Sequence, residues 1–200
     1  MRRRFYRFNS VLVCTQADLN NLPPFNKDIA PLHLKEMDME DESEIREWLK
    51  IHNDAFGRAW GFKEYQAFML NHPYLIVTHT YFMMDESTPM GAGSVGVFKK
   101  NKEIGVGHYL GIRKNFQGRG LGKYMVLYRY HKLHEHGIRI CESETTLRHK
   151  KSLLIHFDCG SRPKFRPDYW NTPDGASALL RVITIDFSGS NFGFELATGS

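Results

Sequence analysis

The sequence predicts an α/β (α+β) fold, in which helices cover a mixed, mostly antiparallel sheet. The order of the patterns supports this class, because two helical patterns precede three strand patterns, the last of which begins a strand–helix–strand–helix series. The apolar content supports it as well, because 42% hydrophobic residues in a chain of 200 suffice for the core of one domain.

The first part of the chain predicts two strands and two helices. A helix is expected to begin after Asp41, because the segment from Asp41 to Glu44 resembles a capping box. Its apolar face is formed by residues at helical spacing, namely Ile45, Trp48, Leu49 and His52. In chain order the elements are strands at 8–14 and 32–37, the helix after Asp41, a loop at 56–62 and a short helix ending at Asn71.

The second part predicts strands and helices that are separated by turn residues. In chain order these are strands at 74–84, 91–98 and 104–113, a helix at 120–136, a strand at 138–146, a helix at 149–159, strands at 162–170 and 179–187, and a tail at 188–200. As domains, residues 1–30 are expected to form an N-terminal extension, 31–170 the main domain, and 171–200 a C-terminal strand and tail of that same domain.

The strand at 104–113 has an unusual composition. Strict alternation predicts that one face carries Ile104, Val106, His108, Leu110 and Ile112, and the other face Gly105, Gly107, Tyr109 and Gly111. Glycines on one face of a strand indicate either the close approach of another group to the backbone or structural slack. The sequence leaves these two interpretations open.

Charge and cysteine content restrict the classes of partner. A net charge of +5 fits an anionic ligand, nucleic acid, an acidic surface or ordinary solubility charge. Nucleic acid ranks low because base-reading motifs are missing, and no apolar run approaches the roughly 20 residues of a membrane span. Basic residues follow Met1, but the apolar run at 11–14 is too short for an export signal. Three cysteines without metal or redox spacing predict reduced thiols in the cytoplasm and no metal site.

The most informative segment is the loop Gln117-Gly118-Arg119-Gly120-Leu121-Gly122, which leads from a strand into a helix. Helix N-termini expose backbone N–H groups and the positive end of the helix dipole, which suits phosphate. The surrounding residues add positive charge, namely Arg113, Lys114, Arg119 and Lys123. A dinucleotide fingerprint fails because Lys123 stands where its third glycine should be, and a P-loop fails because Gln117 replaces its first glycine. A flexible turn without a ligand is the alternative.

This segment resembles the Q/R-x-x-G-x-G/A loop of the GNAT-type N-acetyltransferase superfamily. The resemblance implies a sheet with two splayed parallel strands, here 104–113 and 138–146, and helices on both faces. It further implies that acetyl-CoA is the co-substrate. The amides of Gln117, Gly118, Arg119, Gly120, Leu121 and Gly122 would cradle its pyrophosphate, and the backbone of Leu110 and Ile112 would pair with its pantetheine arm.

The helix at 149–159 resembles the next motif of this family, N-x-x-[AS]-x-x-x-Y-x-x-x-G-F, with departures. Ser152 and Gly160 match, His149 replaces the cofactor-contacting Asn, and Ser161 replaces the Phe. His156 stands where a Tyr often protonates the departing thiolate. A histidinium could donate that proton if it were charged at the working pH, since its pKa lies below the thiol value of about 8.5. The alternative is that His156 only fills space.

Three further side chains are candidates for proton removal from an amine. His108 is the first, because an unperturbed histidine titrates at about pH 6.5 and some arylalkylamine-acetylating members of the family carry a histidine at this position. Glu142 and Glu144 share a face of the next strand and could relay a proton through water. The alternatives are a core or surface histidine and a solvated strand end.

The acceptor site is expected in the loop between the first two helices, as in the family. Asp54 could attract an amine, while Phe56 and Trp60 could form an apolar or cation-binding wall. Core packing is the alternative for these aromatic residues.

The sequence therefore predicts an acyl-CoA-dependent N-acetyltransferase that acts on a primary amine of a small molecule or peptide. Direct attack is preferred, because neither Cys141 nor Cys159 has a clearly oriented base beside it. A non-catalytic acyl-CoA-binding sensor or interaction domain is the alternative. A homodimer is compatible with the sequence, and no membrane partner is expected.

Overall fold

The structure, a computed structural model, describes residues 12–26, 29–146 and 149–164. Its strands are β1 (Leu12–Asp18), β2 (Leu32–Glu36), β3 (Leu75–Asp85), β4 (Thr88–Phe98), β5 (Ile104–Ile112), β6 (Ile140–Thr146) and β7 (Arg162–Pro163). They form one sheet in the order β2-β3-β4-β5-β6-β1-β7. The neighbours are antiparallel except β5 and β6, which are parallel. The predicted mixed, mostly antiparallel sheet is confirmed.

Helices cover both faces of this sheet. They are α1 (Glu42–Phe56), α2 (Phe62–Tyr65, continued by a π-helical turn at Gln66–Leu70), α3 (Leu121–Glu135) and α4 (Lys150–Asp158). One core lies between α1, α2 and the sheet and includes Trp48 and Phe82, and a second lies under α3 and includes Val95 and Val126. Within the described ranges, no helix is long and apolar enough to cross a membrane.

At the start of α1, one of the two hydrogen bonds of the predicted capping box is present. The Asp41 carboxylate accepts a hydrogen bond from Glu44 N at 2.9 Å, as an N-cap should. The Glu44 carboxylate, however, accepts from Asp38 N at 2.8 Å instead of from Asp41 N. The second hydrogen bond of the predicted capping box is therefore replaced by a hydrogen bond to the segment after β2.

Most predicted elements are found within a few residues of their expected bounds. The strand expected at 8–14 lies at Leu12–Asp18, where it pairs with β6 along its whole length. The strand expected at 162–170 is present as far as Pro163. Its continuation from residue 165, the strand at 179–187 and the tail at 188–200 lie outside the described residues.

The alternation predicted for β5 is wrong at Tyr109, where the strand contains a β-bulge. Ser94 of β4 opposes His108, but the next residue, Gly93, opposes Leu110, so Tyr109 is the extra residue. Tyr109 has a φ of +29°, which is unusual for a residue with a side chain.

The bulge exchanges the two faces of β5. Before it, Gly105 and Gly107 face α3, because a methyl group on Gly107 would lie 3.5 Å from Arg129 Nη1. After it, Leu110 and Ile112 face α3, where they pack around Met125. Leu110 and Ile112 therefore share a face with Gly105 and Gly107 and not with His108.

The parallel strands β5 and β6 separate in the middle of the sheet. Their pairing runs from Ile104 and Ile140 to Gly107 and Ser143 and goes no further, although both strands continue. The two strands thus enclose a V-shaped opening. Its vertex is defined here by Gly107 and Ser143, and the bulge follows immediately on the β5 side.

Candidate functional site

The glycine-rich loop lies between the end of β5 and the start of α3. Gly118 and Gly120 have φ values of +82° and +79°, the left-handed region that glycine adopts without strain. Among the described residues, no other atom lies within 4 Å of where a Cβ would be at either glycine. Gly120 is the N-cap of α3, and no side chain caps it. Exposed amides without a capping side chain are the geometry that an anionic group requires.

Two carboxylates of α1 hold the segment that leads into this loop. Glu47 forms an ion pair with Arg113. Asp54 accepts a hydrogen bond from Lys114 N at 2.7 Å, and its other oxygen lies 3.9 Å from Lys114 Nζ. The structure therefore places Asp54, the candidate for attracting an amine, against the cofactor-side loop.

The loop itself carries the remaining positive charge on its surface. Arg119 is exposed; its guanidinium lies 5.2 Å from the centre of the Phe116 ring, and its Nη2 donates to Asn115 O at 3.3 Å. Lys123 is exposed one turn further along. Gln117 Nε2 donates to Ile112 O at 2.9 Å, which fixes the loop to the end of β5.

The other candidate cofactor residues lie on both sides of α3. Leu121 is buried in the same apolar cluster as Leu110 and Ile112. Gly122 faces α4, since a methyl group there would lie 3.3 Å from Ile155 Cδ1. At the start of α4, His149 is exposed and Ser152 is half-buried. The structure thus brings Leu110, Ile112 and Leu121 together, and it places the ring of His149 6.1 Å from that of Phe56.

His108 lies next to the bulge, on the face of the sheet that carries α1 and α2. Its Nε2 is 3.0 Å from Phe68 O. A carbonyl oxygen only accepts, so Nε2 carries the proton and Nδ1 keeps its lone pair. Burial lowers the pKa of His108 to about 4, and the bond to Phe68 O offsets part of that effect. At neutral pH, His108 is an uncharged imidazole that can accept a proton at Nδ1.

His156 is buried and uncharged at neutral pH. Its Nδ1 lies 2.9 Å from the Tyr130 hydroxyl, which lies 2.6 Å from Ser161 Oγ. Burial, together with the charge of Arg129, lowers the pKa of His156 to about 3. The charged form that proton donation was expected to require is therefore disfavoured. Sequence reasoning missed Tyr130 as its partner, because these residues lie on two different helices.

The two carboxylates of β6 have different surroundings. Glu142 is buried; its Oε1 accepts from Gln16 Nε2 at 3.2 Å and forms an ion pair with Lys164. Its Oε2 lies 3.9 Å from Cys14 Sγ. Glu144 is exposed one pleat further towards the open end of the V. The binding partners of Glu142 thus come from β1 and the segment after β7, which the local pattern did not indicate.

Aromatic residues of α1, the α1–α2 loop and β5 form a box around His52. The ring of His52 lies 4.8 Å from Trp48, 4.2 Å from Trp60, 4.7 Å from Phe56 and 5.1 Å from Tyr109. Burial and the charge of Arg58 lower the pKa of His52 to about 4, and its Nε2 has no partner among the described residues. Phe56 and Trp60 are half-buried, so each ring packs against His52 and also keeps part of its surface exposed.

Parallel strands that separate beside a glycine-rich helix start are the arrangement implied by the resemblance to acyl-CoA-dependent transferases. The model of the Acetyltransferase (GNAT) family matches residues 45–157, more than half of the 200 residues, and the chain belongs to this family. The match contains most of α1, the bulged strand, the loop and nearly all of α4.

Solved structures share the fold at low sequence identity. A GCN5-related N-acetyltransferase from Sphaerobacter thermophilus has a TM-score of 0.60 and 14% identity, over 76% of this chain and 48% of that one. A GNAT-family protein from Novosphingobium aromaticivorans has a TM-score of 0.57 and 12% identity, over 76% and 59%. The NatC complex bound to Gag peptide and CoA gives 0.51 and 16%, over 64% and 82%.

The chain thus spans about half the length of the first two of these structures. Comparison with curated protein sequences gave no match.

Proposed function

We propose that this chain is an acyl-CoA-dependent N-acetyltransferase that transfers acetyl from acetyl-CoA to a primary amine of a small molecule or peptide. One observation carries the proposal. The parallel strands β5 and β6 separate at a bulge, and the glycine-rich start of α3 lies at the open end of the V between them. A long ligand with an anionic group at one end and a reactive thioester at the other has the shape that such an opening accepts.

On the cofactor side, the proposed roles follow the residues that the structure brings together. The amides from Gln117 to Gly122 would hold the pyrophosphate, with Arg119 adding positive charge. Leu110 and Ile112 would pair with the pantetheine arm along β5. His149 and Ser152 would contact the cofactor from the start of α4.

On the acceptor side, we propose that the amine enters over the face that carries α1 and α2. His108 would take the ammonium proton at Nδ1, with Glu142 and Glu144 as alternative proton relays. Phe56 and Trp60 would contact the apolar part of the acceptor. The NatC complex, which is similar in fold, is bound to a peptide and CoA, which supports a peptide amine as one acceptor class.

Direct attack on the thioester is supported by the state of the thiols. Burial raises the pKa of Cys141 to about 12 and that of Cys159 to about 12, so neither is a thiolate at neutral pH. The amine lone pair then forms the C–N bond itself, and the C–S bond breaks with its electron pair on sulfur.

The cofactor site is tested with two tryptophan substitutions. Gly120 and Gly137 have φ values of +79° and +81°, and within the described ranges neither has another atom within 4 Å of its Cβ position. Gly120→Trp and Gly137→Trp therefore carry the same backbone strain, but only the first blocks the loop. We expect calorimetry to show loss of coenzyme A binding for Gly120→Trp and wild-type affinity for Gly137→Trp. Retained affinity in Gly120→Trp would contradict the loop assignment.

A non-catalytic acyl-CoA-binding sensor is the second candidate. It is favoured by His156, which is neutral and bonded to Tyr130 at the position where the family pattern has its proton donor. Thiol release from acetyl-CoA separates the two functions, with polyamines, arylalkylamines, aminoglycosides and peptide N-termini as acceptors. Release with an amine supports the enzyme, whereas binding without release supports the sensor.

We further propose the cytoplasm as the location. Cys14, Cys141 and Cys159 are all buried, and none forms a disulfide within the described part of the chain, which suits a reducing compartment. The homodimer and the low rank of nucleic acid and membrane partners stay predictions.

A further inference from the structure

Arg129 of α3 is a buried charge at the vertex of the V. It is 1% exposed, and among the described residues it contacts no carboxylate. Its Nη1 donates to Ser94 O at 3.2 Å and to His108 O at 3.4 Å, while its Nε has no partner in this part of the chain. Buried charges in proteins are normally paired, so an unpaired guanidinium indicates that an anionic group is its missing partner.

The strands are shaped to receive this side chain. A methyl group on Gly93 would lie 3.2 Å from Arg129 Cδ, and one on Gly107 would lie 3.6 Å from Cζ. Ser143 Oγ, on the other strand of the vertex, is also buried without a nitrogen or oxygen partner, and it lies beside the thiol of Cys141. The vertex therefore holds an unsatisfied guanidinium nitrogen from α3 next to a buried serine hydroxyl from β6.

The guanidinium also fixes the bulge. Ser94 and His108 are paired across β4 and β5 directly beside the register shift, so one nitrogen, Nη1, holds a carbonyl of each strand. The peptide that joins His108 to Tyr109 is planar, with its C=O and N–H antiparallel. Because its carbonyl is held by Arg129, its N–H is directed away from Arg129.

Positive charge dominates the vertex at neutral pH. The titratable groups nearest Arg129 are the thiols of Cys141 and Cys159 and the hydroxyl of Tyr130, and burial raises the pKa of all three. His108 and His156 are neutral, as described above. A guanidinium ordinarily has a pKa of about 12.5 or more and stays charged at pH 7 even when burial lowers its pKa.

We infer that Arg129 is a positioning residue for the acyl transfer: it holds the bulge peptide and stabilises the departing coenzyme A thiolate through its positive charge. This inference rests on the proposed function, in which the pantetheine arm runs along Ile112 and Leu110 and its sulfur end reaches the vertex. As the C–N bond forms and the C–S bond breaks, the electron pair leaves on sulfur. One ammonium proton passes to His108 before the lone pair attacks, and the second proton leaves the nitrogen to water as the amide forms, so sulfur needs no proton.

The test compares three substitutions on the same helix. Arg129→Met removes the charge and keeps an unbranched side chain, Arg129→Lys keeps the charge, and Lys132→Met removes an α3 charge away from the vertex. We expect Arg129→Met to lower kcat by about 100-fold, as loss of one preorganised donor does elsewhere, with the KM for acetyl-CoA unchanged. Because removal of an unpaired buried charge offsets the loss of the hydrogen bonds to Ser94 O and His108 O, urea unfolding should show no loss of stability. Arg129→Lys should recover part of kcat, and Lys132→Met should behave as wild type.

A second measurement does not depend on turnover. The thiolate absorbance of bound coenzyme A is followed against pH in the wild type and in Arg129→Met. We expect the bound thiol to titrate at least about one pH unit lower in the wild type, which corresponds to a tenfold change in its ionisation.

The outcomes separate the two proposals. If the wild type binds no coenzyme A, the proposed function fails and this inference fails with it. If the wild type binds coenzyme A, an unchanged thiol titration in Arg129→Met overturns this inference and leaves the proposed function intact. This result does not require an identified acceptor amine. Parallel loss of stability and kcat with an unchanged titration would show a purely structural arginine and would overturn it as well.

Discussion

Tyr109 is held in a backbone conformation that residues with side chains rarely adopt, with a φ of +29°. Such a conformation costs on the order of 1–3 kcal/mol and persists when the surroundings determine it. Here its ring meets Trp48, His52, Phe56 and Trp60 edge-on, at centroid distances of 5.1 to 6.3 Å. The aromatic box thus supports the bulge from one side of the sheet while Arg129 supports it from the other.

His108 gives the clearest prediction for a single residue. His108→Gln keeps a donor for Phe68 O but removes the base, so kcat should fall by about 100-fold or more. Because the pKa of His108 is lowered to about 4, the wild type should keep its unprotonated base as the pH falls through 6, and lose activity as it approaches 4. The kcat/KM profile is measured with an acceptor of low amine pKa, so that the acceptor stays unprotonated.

His72→Gln serves as the control, because the His72 ring lies 5.3 Å from that of His108 on the same surface. An acid limb of kcat/KM near pH 6.5, or wild-type kcat in His108→Gln, would remove His108 from the mechanism.

At the scale of elements, α1 connects the two halves of the site. Its buried face contributes Trp48 and His52 to the aromatic box, while its carboxylates Glu47 and Asp54 hold the residues that lead into the glycine-rich loop. One helix therefore positions groups on both sides of the proposed site.

Asp54→Ala tests whether this carboxylate contributes to coenzyme A binding or to amine binding. Loss of its hydrogen bond to Lys114 N, worth about 0.5–1.5 kcal/mol, should weaken coenzyme A binding by about twofold to tenfold. The KM for the amine should not change. Glu42→Ala is the control, since Glu42 pairs with Arg46 on the exposed surface of the same helix. A raised amine KM with unchanged coenzyme A affinity would instead support the role expected from the sequence.

Elements were predictable where the signal was local. The buried face of α1, the loop at 56–62 and the glycine-rich start of α3 all follow from residue spacing, and the structure contains each of them. The β5 bulge could not be predicted, because it arises from pairing with β4 and leaves no mark on the alternation of β5 itself. The link from His156 to Tyr130 likewise depends on how α4 packs against α3.

Arg129 did leave a signal that sequence reasoning passed over. It stands four residues after Met125 and four before Leu133, both of which are buried, so helical periodicity places it on the core face. A charged residue at such a position is rare unless it is paired or functional. The sequence could have identified the residue, but not the carbonyls that it contacts.

At the scale of the whole molecule, buried histidines make stability depend on pH. His52 and His156 have folded pKa values of about 4 and about 3, below the unfolded value of about 6.5. The folded state therefore binds fewer protons between these values, and stability is lost as the pH falls from 6.5 towards 4. From pH 7 to pH 5, each of these two histidines should remove on the order of 2 kcal/mol.

His52→Leu tests this linkage. The free energy of unfolding, measured in urea at pH 7 and pH 5, should fall by about 2 kcal/mol less in this variant than in the wild type. His33→Gln, at an exposed position on β2, should keep the wild-type difference. An equal fall in all three proteins would mean that His52 takes no part in the acid response.

The position of β1 in the sheet has a consequence for how the chain is made. β1 lies beside β6, and Cys14 contacts Glu142 across 128 residues of sequence. At about 5–20 residues per second, a ribosome needs roughly 6 to 26 seconds to synthesise that interval. For that time β1 has neither of its neighbouring strands, and Cys14 and Thr15, both buried in the finished sheet, stay uncovered. The outer wall of the V is thus closed only after β6 has been made, by a segment synthesised 128 residues earlier.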